Sequence, residues 1–446
     1  MYLFHQIYIK LLIVYWKKYY ECYLVIENPL CHKFFITNFI GYELLVMTYY
    51  MKILIINNLY PPYARGGAEQ VVKRTVEGLL ARGHDVVLIT SSPEKEEKIV
   101  DEKLTIYRLK SANVFFYTFA HEHDFFSRFL WHIIDIFHIG VARDVKKILL
   151  WEQPDVVHTH NLMGLSFLIP YVIRRVAIRH VHTVHDVQLV EPSGIILKLK
   201  ENTWRYNAWP TKLYTWVMKY LMGSPDVVIS PSQFLRDFYT ERGFFVSSQK
   251  TVLRNPLTIA REQGIKNKKQ DDNDLLHILY VGQIETHKGI YLLIDAIKIL
   301  DDVVRKKISV HIVGSGSQFD VLKLYGGSID QIIFYGKKER NELPALFAMS
   351  DIVVVPSLCY ENSPTVIFES LYFGIPVLAS RIEGIAELID EGKNGFTFEA
   401  GHSHSLADKI TWLIAHRDML DTMDVSLPSD IKEEGEYVDC LLKLYT

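Results

Sequence analysis

The sequence has little cysteine and no excess of charge of either sign. Its four cysteines, Cys22, Cys31, Cys359 and Cys440, are scattered over 446 residues without a CxxC pair. Such sparse usage is typical of free thiols in a reducing cytosol, and it excludes a disulfide framework or a zinc knuckle. With 49 basic and 52 acidic residues, the chain also lacks the basic footprint of a nucleic-acid-binding protein. We therefore expect a cytoplasmic protein without a nucleic-acid partner, long enough for two or three domains.

The first fifty residues lack the pattern of a transmembrane helix and of a secretory signal. They hold 14 aromatic residues, but charged residues interrupt every window of the roughly 20 apolar residues that a membrane span needs. No basic residue precedes the apolar stretch, and no small-residue cleavage site follows it. Met51 then opens the apolar run MKILIINN. We predict that residues 1–50 are an extension of doubtful structure upstream of the true start at Met51; the alternative is an anchor at a membrane surface.

From Met51 onward, short apolar runs alternate with stretches of helical periodicity. A helix is predicted across 67–82, between the first two strands. The clearest predicted strands are KILII (52–56), DVVLIT (85–90), DVVHTH (155–160), RHVHTVH (179–185) and DVVIS (226–230). Continuous runs rich in valine and isoleucine are typical of parallel strands that are covered on both faces. The pattern therefore predicts a doubly wound α/β domain, Rossmann-like, over residues 51–256.

A polar stretch then separates this domain from a second series of the same kind. Residues 261–274 hold almost nothing that could enter a core, which predicts a linker or exposed loop over 257–275. Apolar runs restart as HILYVG (277–282), VHIVG (310–314), QIIFYG (331–336), DIVVVP (351–356) and PVLAS (376–380). We predict a second Rossmann-like domain over 276–430 and a C-terminal helix over 431–446. A ligand is expected in the crevice between the domains, at the carboxyl ends of the strands.

The segment PSLCYENSPTVIFESLYFGIPVLAS (356–380) carries the strongest chemical signal. Ser363 and Pro364 suit the N-cap and the first position of a helix, which places Glu361 in the loop before it and Glu369 inside it. The free N–H groups of a helix N-terminus suit a phosphate or a leaving diphosphate. Ionised carboxylates accept hydrogen bonds from sugar hydroxyls. Either acid alone is more often a dipole partner or a solvated side chain, but together they favour a functional site.

This segment resembles the retaining glycosyltransferases of family four, whose pattern is Glu, seven residues, Glu, and a helix that ends in Gly-x-Pro. Glu361 and Glu369 match it, as do Pro364, Gly374 and Pro376. The resemblance runs from about Met51 to the C-terminus. It includes NLYPPYARGGAEQVV (58–72), DVVHTHN (155–161), HTVHD (182–186), SPSQF (230–234), RNP (254–256) and YVGQIETHKG (280–289).

The resemblance implies a GT-B fold and retaining transfer of a sugar from a nucleotide-sugar donor to a glycan or lipid-linked acceptor, with no metal cofactor required. It implies that Glu361, Glu369 and Lys288 hold the donor sugar, the ribose hydroxyls and the diphosphate, respectively. It places His185 at the reacting face, so that the expected catalytic residues are His185, Lys288 and Glu361. The remaining expected donor-binding residues are Gly66, Gly67, Gln283, Asn362, Ser363, Pro364 and Thr365.

One position departs from the family pattern. Many family members have an arginine where this chain has Gln283, and an amide cannot reproduce a guanidinium fork. Unless something compensates, the loss is about one to two decades in rate, from the roughly 1.5–3 kcal/mol of a hydrogen bond to a charged partner. His287 or Arg254 is the candidate compensating residue. The departure bears on catalytic efficiency rather than on the fold.

Other interpretations of the same residues stay open. His158, His160, His180, His182, His185 and Asp186 form two clusters that could bind a metal, although strand parity puts His185 on the opposite side and argues against one shared shell. Bases among aromatics in 196–222 suit a peripheral membrane contact, at the inner face of the membrane, as well as an ordinary amphipathic helix. Alternative functions are a nucleotide-sugar epimerase on the same fold and a weakly active sugar-nucleotide-binding protein, the latter suggested by Gln283.

Overall fold

The computed structural model describes the backbone of residues 10–13, 22–28, 31–38, 48–63, 66–110, 113–257 and 275–446. Of the predicted extension 1–50, four strands are described, in an antiparallel sheet of order β1-β2-β3-β4: β1 (Lys10–Ile13), β2 (Cys22–Asn28), β3 (Cys31–Asn38) and β4 (Thr48–Tyr49). The other residues before Thr48, and residues 258–274 of the predicted linker, lie outside the described residues.

The first domain contains an eight-stranded, mostly parallel sheet of order β12-β11-β10-β9-β5-β6-β8-β7. Its strands are β5 (Lys52–Ile56), β6 (Asp85–Ser92), β7 (Glu97–Asp101), β8 (Leu104–Lys110), β9 (Val156–Thr159), β10 (Arg179–Thr183), β11 (Val227–Ser230) and β12 (Gln249–Val252). Its helices are α1 (Gly67–Ala81), α2 (Phe125–Ile136), α3 (Ile139–Glu152), α4 (Ile169–Val176), α5 (Trp204–Asn207), α6 (Trp209–Met222) and α7 (Gln233–Glu241). The strands and the helix predicted from apolar periodicity all occur. β7, β8 and β12 were not predicted, because none of them is a continuous apolar run; β7 and β12 are the edge strands, and β8 lies next to β7.

The second domain contains a six-stranded parallel sheet of order β15-β14-β13-β16-β17-β18. Its strands are β13 (Leu276–Val281), β14 (Ile308–Val313), β15 (Ile332–Gly336), β16 (Ile352–Val355), β17 (Val377–Ser380) and β18 (Gly395–Phe398). Its helices are α8 (Ile290–Ile299), α9 (Asp302–Arg305), α10 (Phe319–Gly326), α11 (Leu343–Ala348), α12 (Thr365–Tyr372), α13 (Ser403–Ala415) and α14 (Arg417–Thr422). Two Rossmann-like domains confirm the predicted α/β GT-B architecture.

The C-terminal helix α15 (Glu434–Tyr445) returns to the first domain. Its buried face, Tyr437, Val438, Leu441 and Tyr445, joins the core cluster beneath β5, β6 and α1. Gly78 of α1 allows this close packing, since a Cβ at that position would lie 2.6 Å from Val438. The chain therefore crosses twice between the domains, which its periodicity alone does not reveal.

Helix α2 is held to the first domain by only two buried side chains, Trp131 and Asp135. The Oδ1 atom of Asp135 accepts a hydrogen bond of 2.8 Å from the backbone N–H of Gly164. Its Oδ2 atom is buried and has no hydrogen-bond partner among the described residues. Burial raises the pKa of Asp135 to about 8. The carboxyl group is thus protonated at neutral pH in the folded protein.

We expect Asp135→Asn to remove a pH-dependent loss of stability. Because the folded pKa lies above the usual value of 3.8, the folded state retains a proton that the unfolded state releases between about pH 4 and pH 8. Wild-type stability should fall across that window by up to about 1.4 kcal/mol per pH unit from this group. An asparagine cannot ionise, so urea unfolding should show the variant gaining stability relative to wild type between pH 6 and pH 8.5. Asp144→Asn, on the exposed face of α3, is the control; an equal response of both variants would contradict the assignment.

Candidate active site

A cavity of about 510 Å³ lies between the two domains. The first domain contributes the loop before α1 and the residues that follow β10, and the second contributes the loops after β13, β14, β15 and β16. These are the carboxyl ends of parallel strands, where a doubly wound fold binds its ligands. Of the predicted site residues, those that line the cavity are Gly66, Gly67, His185, Gln283, Lys288, Glu361, Asn362, Ser363, Pro364 and Thr365.

The carboxylate of Glu361 is anchored through one of its two oxygens. Its Oε1 atom accepts hydrogen bonds from Lys288 Nζ at 2.6 Å and from Ser357 Oγ at 2.8 Å. No hydrogen bond from a described residue reaches Oε2, and the side chain is 12% exposed at the cavity. One oxygen is therefore fixed in position while the other remains open to a ligand hydroxyl.

The Lys288 ammonium stays charged beside this carboxylate. Burial alone would lower the pKa of Lys288, but the adjacent Glu361 outweighs it and the pKa lies above its usual value. The lysine ends a 3₁₀ turn, Thr286–Lys288, and the next residue, Gly289, has a φ of 73°. The turn thus presents a fixed cation to the cavity, as the sequence predicts.

We expect this turn to require glycine at position 289. A Cβ there would lie 1.7 Å from the Pro356 carbonyl oxygen, whereas Gly336, with a φ of 68°, has no atom within 4 Å of such a Cβ. Gly336→Ala should cost only the left-handed backbone penalty, about 1–2 kcal/mol. Gly289→Ala should lose about 1–3 kcal/mol more through the clash. Urea unfolding of both variants measures the difference, and equal losses would contradict the close approach.

Helix α12 begins later than the sequence predicts. Pro364 is its N-cap, with a ψ of 116° that keeps it outside the helix, so Ser363 does not cap it. The loop before α12 is hydrogen-bonded to the first domain. Asn362 Nδ2 donates to the His185 carbonyl, and Asn255 Nδ2 donates to the Ser363 carbonyl. Among described residues, the buried Asn362 Oδ1 and Ser363 Oγ atoms lack partners. Buried polar groups of this kind call for a water or a ligand.

Glu369 does not line the cavity, unlike the first acid of the pair. It lies just over one turn inside α12 with a side chain that is 5% exposed, and its Oε1 atom lies 3.1 Å from Arg340 Nη1. Glu361 thus lies at the cavity wall, whereas Glu369 is buried in α12 and paired with Arg340. A contact between Glu369 and a donor ribose stays a prediction.

Gly66 and Gly67 bring the first domain close to the second. A Cβ on Gly67 would lie 3.7 Å from Thr365 Cγ2, and one on Gly66 would lie 3.9 Å from Gln283 Nε2. Gly66 is the N-cap of α1 with a φ of −137°, and its N–H donates to Glu69 Oε2 at 2.7 Å. Because neither glycine has a side chain, the two domains approach closely here and the main chain stays accessible to a ligand. Gly66 does not have a positive φ, so its backbone conformation does not require glycine.

His185 belongs to a buried histidine array rather than standing alone. His160 Nδ1 and His185 Nε2 are 2.9 Å apart and share a hydrogen bond. Strand parity, which set His185 apart from His180 and His182, did not predict this contact, because His185 lies beyond the end of β10 at Thr183. Burial lowers the pKa of His185 to about 4. The ring is therefore neutral at physiological pH.

The neighbouring histidines are engaged by hydroxyl groups. His158 contacts Tyr445 Oη and Thr183 Oγ1, both at 2.7 Å, through its two ring nitrogens. Thr159 Oγ1 lies 2.8 Å from both His180 Nε2 and His182 Nδ1. Within the part of the chain that the structure describes, no group of three or more His, Cys, Asp or Glu residues is arranged to hold a metal ion.

Asp186 also lines the cavity, on the side of the first domain. Its Oδ1 atom accepts a hydrogen bond of 2.8 Å from the backbone N–H of Gln188. Burial raises the pKa of Asp186 to about 6 despite that bond, with Glu69 adding to the increase. Asp186 belongs to the segment HTVHD and was otherwise expected only as a possible metal ligand; its position after a buried strand is the sequence signal of a cavity residue.

Two further lysines supply positive charge to the cavity. Lys337 and Lys338 follow β15 directly and line the cavity with Gln283; the Lys338 ammonium also forms an ion pair of 2.8 Å with Glu342. Arg254 does not line the cavity, since it forms ion pairs with Asp430 and Glu387, so it cannot compensate for Gln283. The sequence could have indicated Lys337 and Lys338 as site residues, because both follow the apolar run QIIFYG at the carboxyl end of a strand.

Comparison with known proteins matches both domains. The model described as Glycosyltransferase Family 4 matches residues 65–261, and the one described as Glycosyl transferases group 1 matches residues 261–427. Glycogen synthase of Mycobacterium tuberculosis is 27% identical, over 77% of this chain and 81% of its own length. Lipopolysaccharide 1,2-N-acetylglucosaminetransferase of Salmonella typhimurium is 29% identical, over 43% of this chain and 54% of its own. HepE of Anabaena, solved with UDP-glucose, superposes with a TM-score of 0.60 at 17% identity, over 89% of this chain and 100% of its own.

Proposed function

The chain belongs to family four of the glycosyltransferases, and from this premise we propose that it transfers a sugar from a nucleotide-sugar donor with retention of anomeric configuration. The observation that carries the proposal is the half-anchored carboxylate of Glu361, whose Oε2 atom has no hydrogen bond from a described residue. A donor sugar in the cavity supplies hydroxyl donors for that oxygen. The match to HepE, solved with UDP-glucose, supports a nucleotide sugar as the ligand.

In this proposal, the diphosphate lies between Lys288 and the start of α12. The backbone N–H groups of Ser363 and Thr365 precede or open the helix and have no carbonyl four residues earlier within it. Lys288, Lys337 and Lys338 line the same cavity and neutralise the charge that develops on the leaving diphosphate. We therefore propose that lysines, rather than a metal ion, supply this charge. Gln283 contributes a neutral hydrogen bond.

The transfer itself joins an acceptor hydroxyl to the donor. The acceptor oxygen forms a bond to the anomeric carbon, the bond from that carbon to the phosphate oxygen breaks, and the hydroxyl proton passes to the departing diphosphate. Neutral His185 and the Asp186 carboxylate, both at the cavity wall, are the groups that orient sugar and acceptor hydroxyls. Gly66 and Gly67 allow the ligand to approach the main chain. The contact of Glu369 with the ribose hydroxyls stays a prediction, because Glu369 does not line the cavity.

We propose a glycan or a lipid-linked glycan as the acceptor, in polysaccharide or glycolipid biosynthesis. Relatives that make glycogen and lipopolysaccharide support this acceptor class. The proposed location is the cytoplasm, at the inner face of the membrane. Neither an epimerase nor a binding protein is favoured, since the named relatives are glycosyltransferases and Lys337 and Lys338 add the charge that Gln283 lacks.

Product analysis tests this function. The full chain is incubated with radiolabelled UDP-, GDP- and ADP-sugars and with a membrane lipid extract, and the products are separated by chromatography. We expect label in a glycan or lipid product that carries the anomeric configuration of the donor. Label recovered only as an isomerised nucleotide sugar would support an epimerase, and an inverted product would contradict retention.

A further inference from the structure

Large apolar side chains are exposed in two helical regions of the first domain. Of the 28 exposed large apolar side chains among described residues, 17 lie within 114–151 or 199–220. Phe126, Trp204 and Trp209 are among the most exposed, at 81%, 77% and 72%. Scattered exposed apolar residues are normal in soluble proteins, but such a concentration marks a binding surface.

The exposed residues form stripes along their helices. On α2, Phe125, Phe129, Ile133 and the following Phe137 are spaced by four residues; on α6, Trp209, Leu213, Trp216 and Tyr220 are spaced by three or four. Such spacing puts each set on one side of its helix. The opposite side of each helix is buried, through Trp131 on α2 and Met218 on α6. We call the two stripes, with Phe126 and Trp204, the aromatic face.

The two stripes flank the same loop. Arg205 of α5 forms an ion pair of 2.9 Å with Glu191. On the side of α2, Gln188 Nε2 donates to Met163 Sδ at 3.6 Å, and the next residue, Gly164, donates its backbone N–H to Asp135. Tyr214 of α6 donates a hydrogen bond of 2.8 Å to the Gln188 carbonyl. Both helices therefore lie near residues 188–191 of the first domain.

The charges on the α5–α6 half of the aromatic face are mainly positive. Residues 196–222 hold five basic side chains, Lys198, Lys200, Arg205, Lys212 and Lys219, and one acid, Glu201. Lys200, Arg205 and Lys212 are exposed. Tryptophan and tyrosine beside bases match the boundary between lipid headgroups and acyl chains, with the bases at anionic headgroups.

This surface adjoins the cleft. Gly194 and Ile195 line the cavity, and nine residues after Ile195 the chain reaches Trp204. Between them, Leu197 pairs with Cys359, two residues before Glu361, and the Lys198 N–H donates to the Leu358 carbonyl. A molecule held at the aromatic face would thus lie beside the cavity entrance.

By length and composition, the helical stretch Phe125–Glu152 could cross a membrane, and 22% of its most apolar window is buried. Its second half argues against crossing. Val141, Val145 and Leu149 of α3 belong to the core of the first domain, so the stretch is held along the protein surface.

We propose that the aromatic face is a peripheral membrane anchor that places the cleft against an anionic bilayer. This inference rests on the proposed function for its consequence, the entry of a lipid-linked acceptor. The anchor itself does not depend on the reaction.

Vesicle sedimentation tests the anchor without measuring transfer. The full chain is mixed with phosphatidylcholine vesicles, either pure or with 30% phosphatidylglycerol. We expect it to bind the anionic vesicles and to lose at least about tenfold in partition coefficient in the triple variant Phe126→Ser, Trp209→Ser, Trp216→Ser. The matched control is Val303→Ser, Val321→Ser, Leu324→Ser, which removes exposed apolar residues of the second domain and should bind as wild type. Lys200→Glu with Lys212→Glu should weaken binding to anionic vesicles only.

Equal vesicle binding by wild type and the triple variant would overturn the proposal. So would absence of binding together with a dimer in light scattering that the triple variant abolishes, since the face would then bind a second copy. Binding of a nucleoside diphosphate, measured by calorimetry on the same samples, reports separately on the cleft. A failed anchor with intact nucleotide binding leaves the proposed function standing.

Discussion

Replacing Glu361 with glutamine should reduce kcat/KM for sugar transfer by about 10²–10³-fold, the loss typical of removing one preorganised group that stabilises a transition state. The substitution keeps the shape of the side chain and an oxygen that can accept from Lys288 and Ser357. It removes the negative charge, so the hydrogen bonds to donor hydroxyls lose their charge-assisted strength. Initial rates with saturating acceptor measure the effect.

Glu399→Gln is the matched control for Glu361→Gln. It removes the same charge from the same domain at an exposed position, where Glu399 lies 3.3 Å from His402. It should leave kcat/KM unchanged. Thermal unfolding of both variants shows whether the fold is kept. Wild-type turnover by Glu361→Gln would contradict a role for Glu361 in sugar transfer.

Replacing Lys288 with methionine should lower affinity for the nucleotide sugar and kcat together, with kcat/KM reduced by about 10²-fold or more. The ammonium is the charge nearest to Glu361, at 2.6 Å, and the diphosphate needs a fixed cation close by. Lys306→Met, at an exposed position of the same domain, is the control and should behave as wild type. Calorimetric titration with nucleoside diphosphates measures the affinity.

The stability of the Lys288 variant must be separated from its activity. Removing one partner of this partly buried ion pair should cost less than the roughly 3–5 kcal/mol typical of a fully buried pair, because the charge that is left can reach solvent in the cavity. The double variant Lys288→Met, Glu361→Gln should recover much of that stability while transfer stays lost. Recovery of activity with stability would mean that Lys288 acts only through the fold.

The sequence predicted the parts of the fold that depend on continuous burial. KILII, DVVLIT and DIVVVP are each apolar over at least four consecutive residues because both faces of these central strands are covered, and each became a strand of the expected sheet. The edge strand β7, with all five residues exposed, carries no such signal. The destination of α15 could not be read either, since an amphipathic pattern shows which face is buried but not against which domain.

For the site, the sequence predicted residue types well and mutual geometry poorly. Glu361 and Lys288 were identified through motifs, but their ion pair depends on the loops after β13 and β16 meeting at one edge of the sheet. The spacing of Glu369 could not show that Arg340 lies against it. The contact of His160 with His185 arises where the chain has left the strand, beyond the reach of a periodicity rule.

The most direct test of the account is a crystal structure of the protein with a bound nucleoside diphosphate. We expect diphosphate oxygens within hydrogen-bonding distance of Lys288 Nζ and of the backbone N–H groups of Ser363 and Thr365, in the cavity between the domains. Diphosphate bound elsewhere on the protein, with that cavity empty, would contradict it.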